Sequence, residues 1–130
     1  MRLLLDTHVV LWWATADRRL TKNARALITS PENEIAVSVV TFWEVAIKAN
    51  LGRIDVDVAE LHAATTADGF DAIPIRAKDT FLLAALPNHH HDPFDRLLIA
   101  HAIAENRSLL TADEAILAYA GFRGFDPLKV

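Results

Sequence analysis

At residues 3–14 the chain is LLLDTHVVLWWA, a short apolar run that ends at an acid and continues directly into a helix-like segment. Three leucines closed by a charge are typical of a buried strand. Residues 7–14 then carry the pattern of a helix. Because a strand followed at once by a helix is the repeating unit of parallel-sheet proteins, this stretch predicts an α/β fold.

The same alternation continues along the chain. We predict further strands at residues 34–38, 71–75, 109–110 and 127–130, and further helices from 20 to near 30 and at 40–50, 58–67, 78–86, 93–105 and 113–119. Pro74 lies inside the third strand and restricts it to an edge or a strand end. Strands that alternate with helices imply a parallel sheet with helices on both faces.

The bulk composition limits the class of protein. The chain has 130 residues, 52% of them hydrophobic, and no cysteine. Neither a linker nor a repeat divides it, so we expect residues 1–130 to form a single domain. No apolar run approaches the roughly 20 residues that span a bilayer, and the apolar start is too short for a signal peptide. We therefore expect a cytoplasmic protein without disulfides or a cysteine-based zinc site.

The net charge of −4 argues against a module that only binds nucleic acid. Proteins that hold nucleic acid by neutralising its phosphates are usually basic. A nuclease whose metal ions supply the positive charge at the site is compatible with an acidic chain.

Four acids are expected at the carboxyl-terminal edge of the predicted sheet, where open α/β proteins bind their ligands. Asp6 ends the first strand, Asp113 follows the fourth, and Asp95 begins the helix that leads into the fourth strand. Glu44 lies in the apolar helix that starts directly after the second strand. We expect these four carboxylates to lie together.

Such a cluster predicts a hard-oxygen metal site. Carboxylates without cysteine favour Mg²⁺ or Mn²⁺ over zinc, and their mutual repulsion is tolerated when a divalent cation lies among them. Phosphodiester hydrolysis uses such sites, because one ion lowers the pKa of an attacking water and a second stabilises the leaving oxygen. The chain has no convincing Ser-His-Asp or Cys-His pattern, so no protein nucleophile is expected.

Each acid also has a structural interpretation. Asp6 and Asp113 are placed to cap helices, and Thr111 and Glu114 have the spacing of a capping box. In the same way, Asp95 complements a helix dipole, and Glu44 can pair with Lys48 on a solvated face. These interpretations do not explain why all four acids fall on one predicted edge.

Four segments carry a family resemblance: LLLDTHVVLWW at 3–13, SVVTFWEVAIKANLGRI at 38–54, HDPFDRLLIAHA at 91–102 and LLTADEAI at 109–116. Together they resemble the PIN-domain ribonucleases, and closely resemble the VapC-type toxins of bacterial and archaeal toxin–antitoxin pairs. The DPFDRLLIA stretch and the helix with Trp-Glu-x-Ala-x-Lys are the specific motifs, whereas LLLDT alone is a weak one.

The resemblance implies an α/β/α sandwich around a parallel sheet, dependence on Mg²⁺ or Mn²⁺, and single-stranded or structured RNA as the substrate of an endoribonuclease toxin. The acids of the family correspond to Asp6, Glu44, Asp95 and Asp113 of this chain. Family members typically form homodimers and are neutralised by a small antitoxin that covers the acidic pocket. The family often has glutamine where this chain has His101, so the contacts of that side chain cannot be carried over.

The polar neighbours of the acids have several possible roles. Ser38 and Thr111 can hydrogen-bond a carboxylate or a metal-bound water, or they can satisfy local backbone groups. Three consecutive histidines, residues 89–91, cannot all ligate one ion, so a solvated loop is the favoured interpretation.

Basic and aromatic residues complete the set. The candidate phosphate contacts, each also typical of a solvated surface, are Arg53, Arg76, Lys78 and Arg96. Trp12 and Trp13 point about 100° apart on a helix, so we expect one in the core and the other either partly buried or left for a partner.

Three other functions stay open. A non-catalytic PIN-like module that binds RNA or protein would be expected to lack at least one acid, and all four are present. A housekeeping RNA-processing nuclease would share the whole site. A phosphoryl-handling domain with Asp6 as phospho-acceptor is the least favoured, because Asp6-Thr7-His8 offers no second acid nearby.

Overall fold

Five parallel strands form one sheet, in the order β3-β2-β1-β4-β5, in the computed structural model of residues 1–130. The strands are β1 (Arg2–Leu5), β2 (Glu34–Ser38), β3 (Asp71–Ile73), β4 (Ser108–Thr111) and β5 (Pro127–Lys129). The helices are α1 (Thr7–Ala14), α2 (Lys22–Thr29), α3 (Val39–Asn50), α4 (Val58–Ala67), α5 (Ala77–Thr80), α6 (Pro93–Ala104) and α7 (Glu114–Leu117), with 3₁₀ turns at Phe81–Ala84 and Phe122–Gly124. None of these helices combines the length and the apolarity that crossing a bilayer requires.

The central strand β1 separates two apolar cores. Successive side chains of a strand point to opposite faces, so Leu3 and Leu5 enter one core and Leu4 enters the other. The first core also contains buried apolar residues of α1, α2 and α4, and the second contains buried apolar residues of α6 and α7. The predicted three-layer α/β/α arrangement is confirmed.

The strand register sets which side chains meet at the carboxyl-terminal edge. Leu5 of β1 pairs with Val37 of β2 and with Leu110 of β4. The next residue of each strand therefore lies at the same edge, and the Asp6 N–H donates to the Leu110 carbonyl at 3.0 Å. Since β2 passes directly into α3 without a loop, the first turns of α3 also lie at this edge.

The structure differs from the sequence-based prediction mainly at residues 78–86. Instead of one helix, α5 ends at Thr80 and a 3₁₀ turn follows. The buried carboxylate of Asp79 accepts the Arg76 N–H at 2.7 Å and closes the first turn, while Phe81 is 71% exposed. Because the segment lacks a continuous buried apolar face, tertiary packing does not support a longer helix. The predicted helix at 113–119 is likewise shortened to α7.

Candidate active site

Asp6 is a buried carboxylate held in one orientation. Its Oδ1 accepts the Thr7 N–H at 2.7 Å, which caps α1, and its Oδ2 accepts the Thr111 hydroxyl at 2.8 Å. Burial raises the pKa of Asp6, the two hydrogen bonds oppose this shift, and the charge of Glu44 adds to it. The capping role is therefore present, but it occupies only one of the two carboxylate oxygens.

Glu44, in α3, is linked to Asp6 through Thr7. Its Oε1 accepts the Thr7 hydroxyl at 2.8 Å, and its Oε2 is 2.5 Å from Nζ of Lys48. The predicted i, i+4 pair with Lys48 exists, but the interpretation of a solvated face is wrong, because the Glu44 side chain is only 4% exposed. Thr7 thus joins the end of β1 to the carboxylate of α3.

Asp92 and Asp95, three residues apart, have different roles at the start of α6. The Asp92 Oδ1 accepts the N–H groups of Phe94 and Asp95 at 2.9 and 3.0 Å, so it is the N-cap of α6, with Pro93 in the first turn. Asp95 makes no cap. Its Oδ2 instead accepts a hydrogen bond from Nε2 of His90, at 2.8 Å.

Asp113 caps α7, with its Oδ1 accepting the Ala115 N–H at 2.9 Å. The capping box of Thr111 and Glu114 does not form, since the Thr111 hydroxyl instead accepts the Asp113 N–H at 3.0 Å and donates to Asp6. One carboxylate oxygen of Asp113 lies within 4.8 Å of ligand atoms of both Asp95 and His90.

Electrostatics connects the four acids. The pKa of Asp95 is raised to about 7, mainly by burial and further by the charges of Asp6, Asp92 and Asp113, against the hydrogen bond from His90. The charge of Glu44 in turn acts on Asp6. Asp6 and Asp95 have raised pKa values at a site built from several carboxylates, and such a donor set suits a hard divalent cation.

A cavity of about 270 Å³ opens beside the acids. Its walls are Asp6, His8, Trp12, Arg19, Ala112 and Asp113. The Arg19 guanidinium lies 4.9 Å from the centre of the Trp12 ring and pairs with Asp17. An aromatic face and a cation therefore border the carboxylates, which is the pairing that bases and phosphates of a nucleic acid contact.

Of the two polar neighbours, only Thr111 contacts a site carboxylate. Ser38 is instead the N-cap of α3: its hydroxyl accepts the Val40 N–H at 3.1 Å and shares a hydrogen bond with Nδ1 of His101 at 2.9 Å. Thus Thr111 positions Asp6, whereas Ser38 caps α3 and hydrogen-bonds His101.

Arg96 and His90 form a loop clamp that the sequence did not reveal. The Arg96 guanidinium donates to the carbonyls of Leu86, Pro87 and His90 and to the Tyr119 hydroxyl at 2.9–3.2 Å. The interpretation of Arg96 as a phosphate contact is therefore wrong, and a fully solvated loop at 89–91 is wrong for His90. The sequence did contain a signal for the contact between His90 and Asp95. His90 lies just before α6, and residues just before a helix lie beside the side chains of its first turn.

The other candidates lie outside the acidic cluster. Arg53 and Lys78 are exposed and make no side-chain contact to an acid, whereas Arg76 pairs with Asp79 and with a glutamate at the end of α6. Trp12 and Trp13 are both partly buried, so neither enters the core completely. The Trp13 ring packs against the ring of Phe70, with 5.6 Å between the ring centres, and its N–H donates to the carboxylate of Asp68 at 2.9 Å.

A second polar cluster is buried on the other side of α6. His101 is fully buried, and its Nε2 lies 3.8 Å from Oδ2 of the equally buried Asp79. Burial lowers the pKa of His101, and the carboxylates of Asp79 and Glu105 oppose this shift. The imidazole is therefore neutral in the folded protein and takes up a proton more easily in the unfolded chain.

Replacing His101 with glutamine should flatten the acid limb of the stability profile. The unfolded chain binds a proton near the usual imidazole value of 6.5, whereas the folded chain resists protonation, so the contribution of His101 to stability is lost as the pH falls through this value. Glutamine keeps a hydrogen-bonding side chain but cannot titrate. Because Asp95 titrates in the same range with the opposite sign, the quantity to measure is the difference in Tm between the variant and the wild type. This difference should increase in favour of the variant from pH 8 to pH 5, and a constant difference would contradict the assignment.

Comparison with known proteins agrees with this geometry. The chain belongs to the PIN domain family, whose model matches residues 3–122. The ribonuclease VapC22 of Mycobacterium tuberculosis is 30% identical over 119 residues, which are 90% of this chain and 91% of that protein. The family predicted from the sequence motifs is confirmed.

Solved structures share the fold. A chain in the structure of VapBC2 from Rickettsia felis, bound to a promoter DNA fragment, has a TM-score of 0.71 at 19% identity, covering 99% of this chain and 98% of that one. A chain of VapBC-5, from a toxin–antitoxin system of Mycobacterium tuberculosis, has a TM-score of 0.66 at 20% identity, with the same coverage. Both confirm the α/β/α architecture.

Proposed function

We propose that this protein is an endoribonuclease that depends on Mg²⁺ or Mn²⁺, held by Asp6, Glu44, Asp95 and Asp113. The observation that carries the proposal is the coupling of these acids: Asp95, with a pKa raised to about 7, lies close to the charges of Asp6 and Asp113, and Asp6 to that of Glu44. Helix capping uses single oxygens of Asp6 and Asp113 and explains neither Glu44 nor Asp95. The VapC22 relative, named a ribonuclease, supports the same activity.

The residues around the acids fix the carboxylates in place. Thr111 and Thr7 orient Asp6, and Thr7 and Lys48 orient Glu44. A bound divalent ion would lower the pKa of the attacking water and stabilise charge on the leaving oxygen. Preorganised ligands of this kind avoid the cost of rearrangement during the reaction.

The cavity beside the acids suits a single strand of RNA. Trp12 offers a ring face for a base, and Arg19 a cation for a phosphate. Because the chain is acidic overall, these local groups and the metal ions would supply the attraction that net charge does not.

The experiment that tests this activity compares RNA and DNA of the same sequence. Purified protein should cut the RNA in the presence of millimolar Mn²⁺, stop when EDTA is added, and leave the DNA intact. Cleavage that persists in excess EDTA would contradict the metal-dependent mechanism, and the absence of any cleavage of single-stranded or structured RNA would contradict the activity.

Metal binding should stabilise the fold, and more so at higher pH. A ligand that binds only the folded state adds about 1.4–2.7 kcal/mol when its free concentration is 10–100 times Kd. Because the pKa of Asp95 is raised to about 7, Mn²⁺ competes with a proton at pH 6 but not at pH 8. Calorimetry at constant ionic strength should therefore show the larger rise in Tm at pH 8. An equal rise for the Asp95→Asn variant would place the ion elsewhere.

We further propose that the protein is the toxin of a type II toxin–antitoxin pair and acts in the cytoplasm. The names of its relatives support this role, since VapBC-5 is part of a toxin–antitoxin system. An arginine from an antitoxin tail would suit the acidic cavity, because guanidinium pairs with carboxylates in a bidentate manner. Co-expression with a small neighbouring reading frame should yield a complex, and unchanged binding after Asp6→Asn and Asp95→Asn would contradict insertion into the cavity.

A homodimer is the proposed assembly of the toxin. Val39 and Trp43 lie one turn apart on α3 and are 44% and 52% exposed, although both are large apolar side chains. A second copy of the chain would cover them, and Trp43 already packs edge-to-face on Phe94 at 4.8 Å. Light scattering on the wild type and on Trp43→Glu tests this assembly, since the variant should be monomeric.

A further inference from the structure

His90 lies in direct contact with a carboxylate of the candidate active site. Its Nε2 is 2.8 Å from Oδ2 of Asp95, and the same three-residue group includes Asp113. We infer that His90 is a nitrogen ligand of the metal ion in this site, so that the ion is held by mixed oxygen and nitrogen donors. The inference rests on the proposed metal-dependent function and deepens it.

The distances fit one ion. Around an octahedral ion with ligands at 2.0–2.1 Å, neighbouring ligand atoms are about 2.9 Å apart and opposite ones about 4.2 Å apart. A proton occupies the 2.8 Å contact between His90 and Asp95 in the metal-free protein, and the ion would replace it; this distance matches neighbouring ligands, and the nitrogen and the two carboxylate oxygens all lie within 4.8 Å of one another.

The backbone of His90 is fixed in a way that supports this role. Its N–H donates to the Tyr119 hydroxyl at 3.0 Å, and its carbonyl accepts from Nη1 of Arg96 at 3.2 Å. Tyr119 is only 1% exposed, so the anchor belongs to the core. Both backbone polar groups of this loop residue are thus hydrogen-bonded, and a fixed backbone favours a preorganised ligand.

The neighbouring histidines show that this placement is specific to one residue. His89 and His91 are exposed, whereas the His90 side chain is only 26% exposed and contacts Asp95. His89 packs edge-to-face against the Tyr119 ring at 5.0 Å. These two residues therefore provide matched controls on either side of His90.

A nitrogen ligand changes which ions the site prefers. Imidazole binds transition ions, whereas Mg²⁺ prefers oxygen donors and gives up its waters reluctantly. We therefore expect Mn²⁺ to bind more tightly than Mg²⁺, and His90→Gln to lower the Mn²⁺ affinity by roughly 10-fold or more while the Mg²⁺ affinity changes less.

Pulsed EPR with Mn²⁺ as the only added metal tests this assignment, because a directly bound imidazole produces a ¹⁴N coupling to the manganese spin. The coupling should be present in the wild type and in His89→Gln and His91→Gln, and absent in His90→Gln. Melting curves should show that all three variants are folded.

The possible failures are distinguishable. If the wild type binds Mn²⁺ without a ¹⁴N coupling, and Asp95→Asn abolishes binding, the inference about His90 is overturned and the carboxylate site stands. If the coupling disappears in His89→Gln or His91→Gln but not in His90→Gln, the ligand is one of the other two histidines, and the inference about His90 is again overturned. If Mn²⁺ binding is unaffected by Asp95→Asn, the proposed metal site itself is wrong, and the inference falls with it.

Discussion

Replacing Asp95 with asparagine should reduce RNA cleavage by at least about 100-fold, while replacing Asp92 with alanine should leave most of it intact. Asp95→Asn is nearly isosteric and keeps an oxygen that can accept from His90, but it removes one negative charge from the metal site. Asp92 lies only three residues away, yet its carboxylate is used by the backbone of α6. Rates on one RNA substrate in Mn²⁺ give the comparison.

The stability of the same two variants should change in opposite directions. Alanine at 92 removes an N-cap and should cost about 1 kcal/mol. For Asp95, the folded pKa of about 7 lies above the usual 3.8, so its contribution to stability is present below pH 3.8 and is lost as the pH rises through 7. Asparagine cannot ionise, so without metal at pH 8 this variant should be more stable than the wild type, on the order of 2 kcal/mol.

Urea unfolding at pH 8 in EDTA measures both effects. In the cleavage assay, an active Asp95→Asn protein together with an inactive Asp92→Ala protein would reverse the two assignments within the HDPFDR motif. If both variants stay fully active, the start of α6 is not part of the active site.

Replacing Arg96 with alanine should destabilise the protein by about 2–4 kcal/mol, since hydrogen bonds to charged groups contribute about 1.5–3 kcal/mol each and are not additive. The guanidinium bridges the carbonyls of Leu86, Pro87 and His90 and the hydroxyl of Tyr119. Without it, the loop that carries His90 loses its main anchor. We expect cleavage to decrease as well, because the loop lies against Asp95.

Arg96→Lys separates this clamp from a phosphate contact. Lysine keeps the charge, but its compact ammonium cannot reproduce the planar fork that reaches several carbonyls at once. The lysine variant should therefore be nearly as unstable as the alanine variant in urea. Full recovery of stability and activity by lysine would mean that Arg96 acts through charge alone. Arg53→Ala is the matched control, since that exposed arginine should change stability by less than about 0.5 kcal/mol.

The sequence was sufficient to predict the fold, whereas the catalytic role of the four acids stays a prediction. Apolar runs such as 3–5 and 34–38 match buried strands because both faces of a parallel sheet are covered, which leaves a continuous hydrophobic signal. The motif around Asp92 and Asp95 also assigns the cap correctly, because Pro93 marks the first turn of a helix. These features depend on neighbours in the chain, so they can be found without coordinates.

The contacts of individual polar side chains could not be predicted in the same way. Ser38 and Thr111 are each the last residue of a strand at one sheet edge, yet only Thr111 contacts a carboxylate of the site, while Ser38 contacts His101, 63 residues away in sequence. The direction of each side chain depends on which helix packs against it. That packing comes from distant parts of the chain, and the local sequence does not encode it.

Periodicity, caps and motifs are local properties, so the α/β architecture and the family could be predicted from the sequence alone. The packing of distant segments was needed to show that Arg96 clamps a loop and that His90, but not His89 or His91, faces Asp95. The sequence alone does not distinguish the three adjacent histidines. They become different once the loop is anchored to Tyr119 on one side and α6 on the other, because the anchored backbone turns only the middle ring toward the carboxylates.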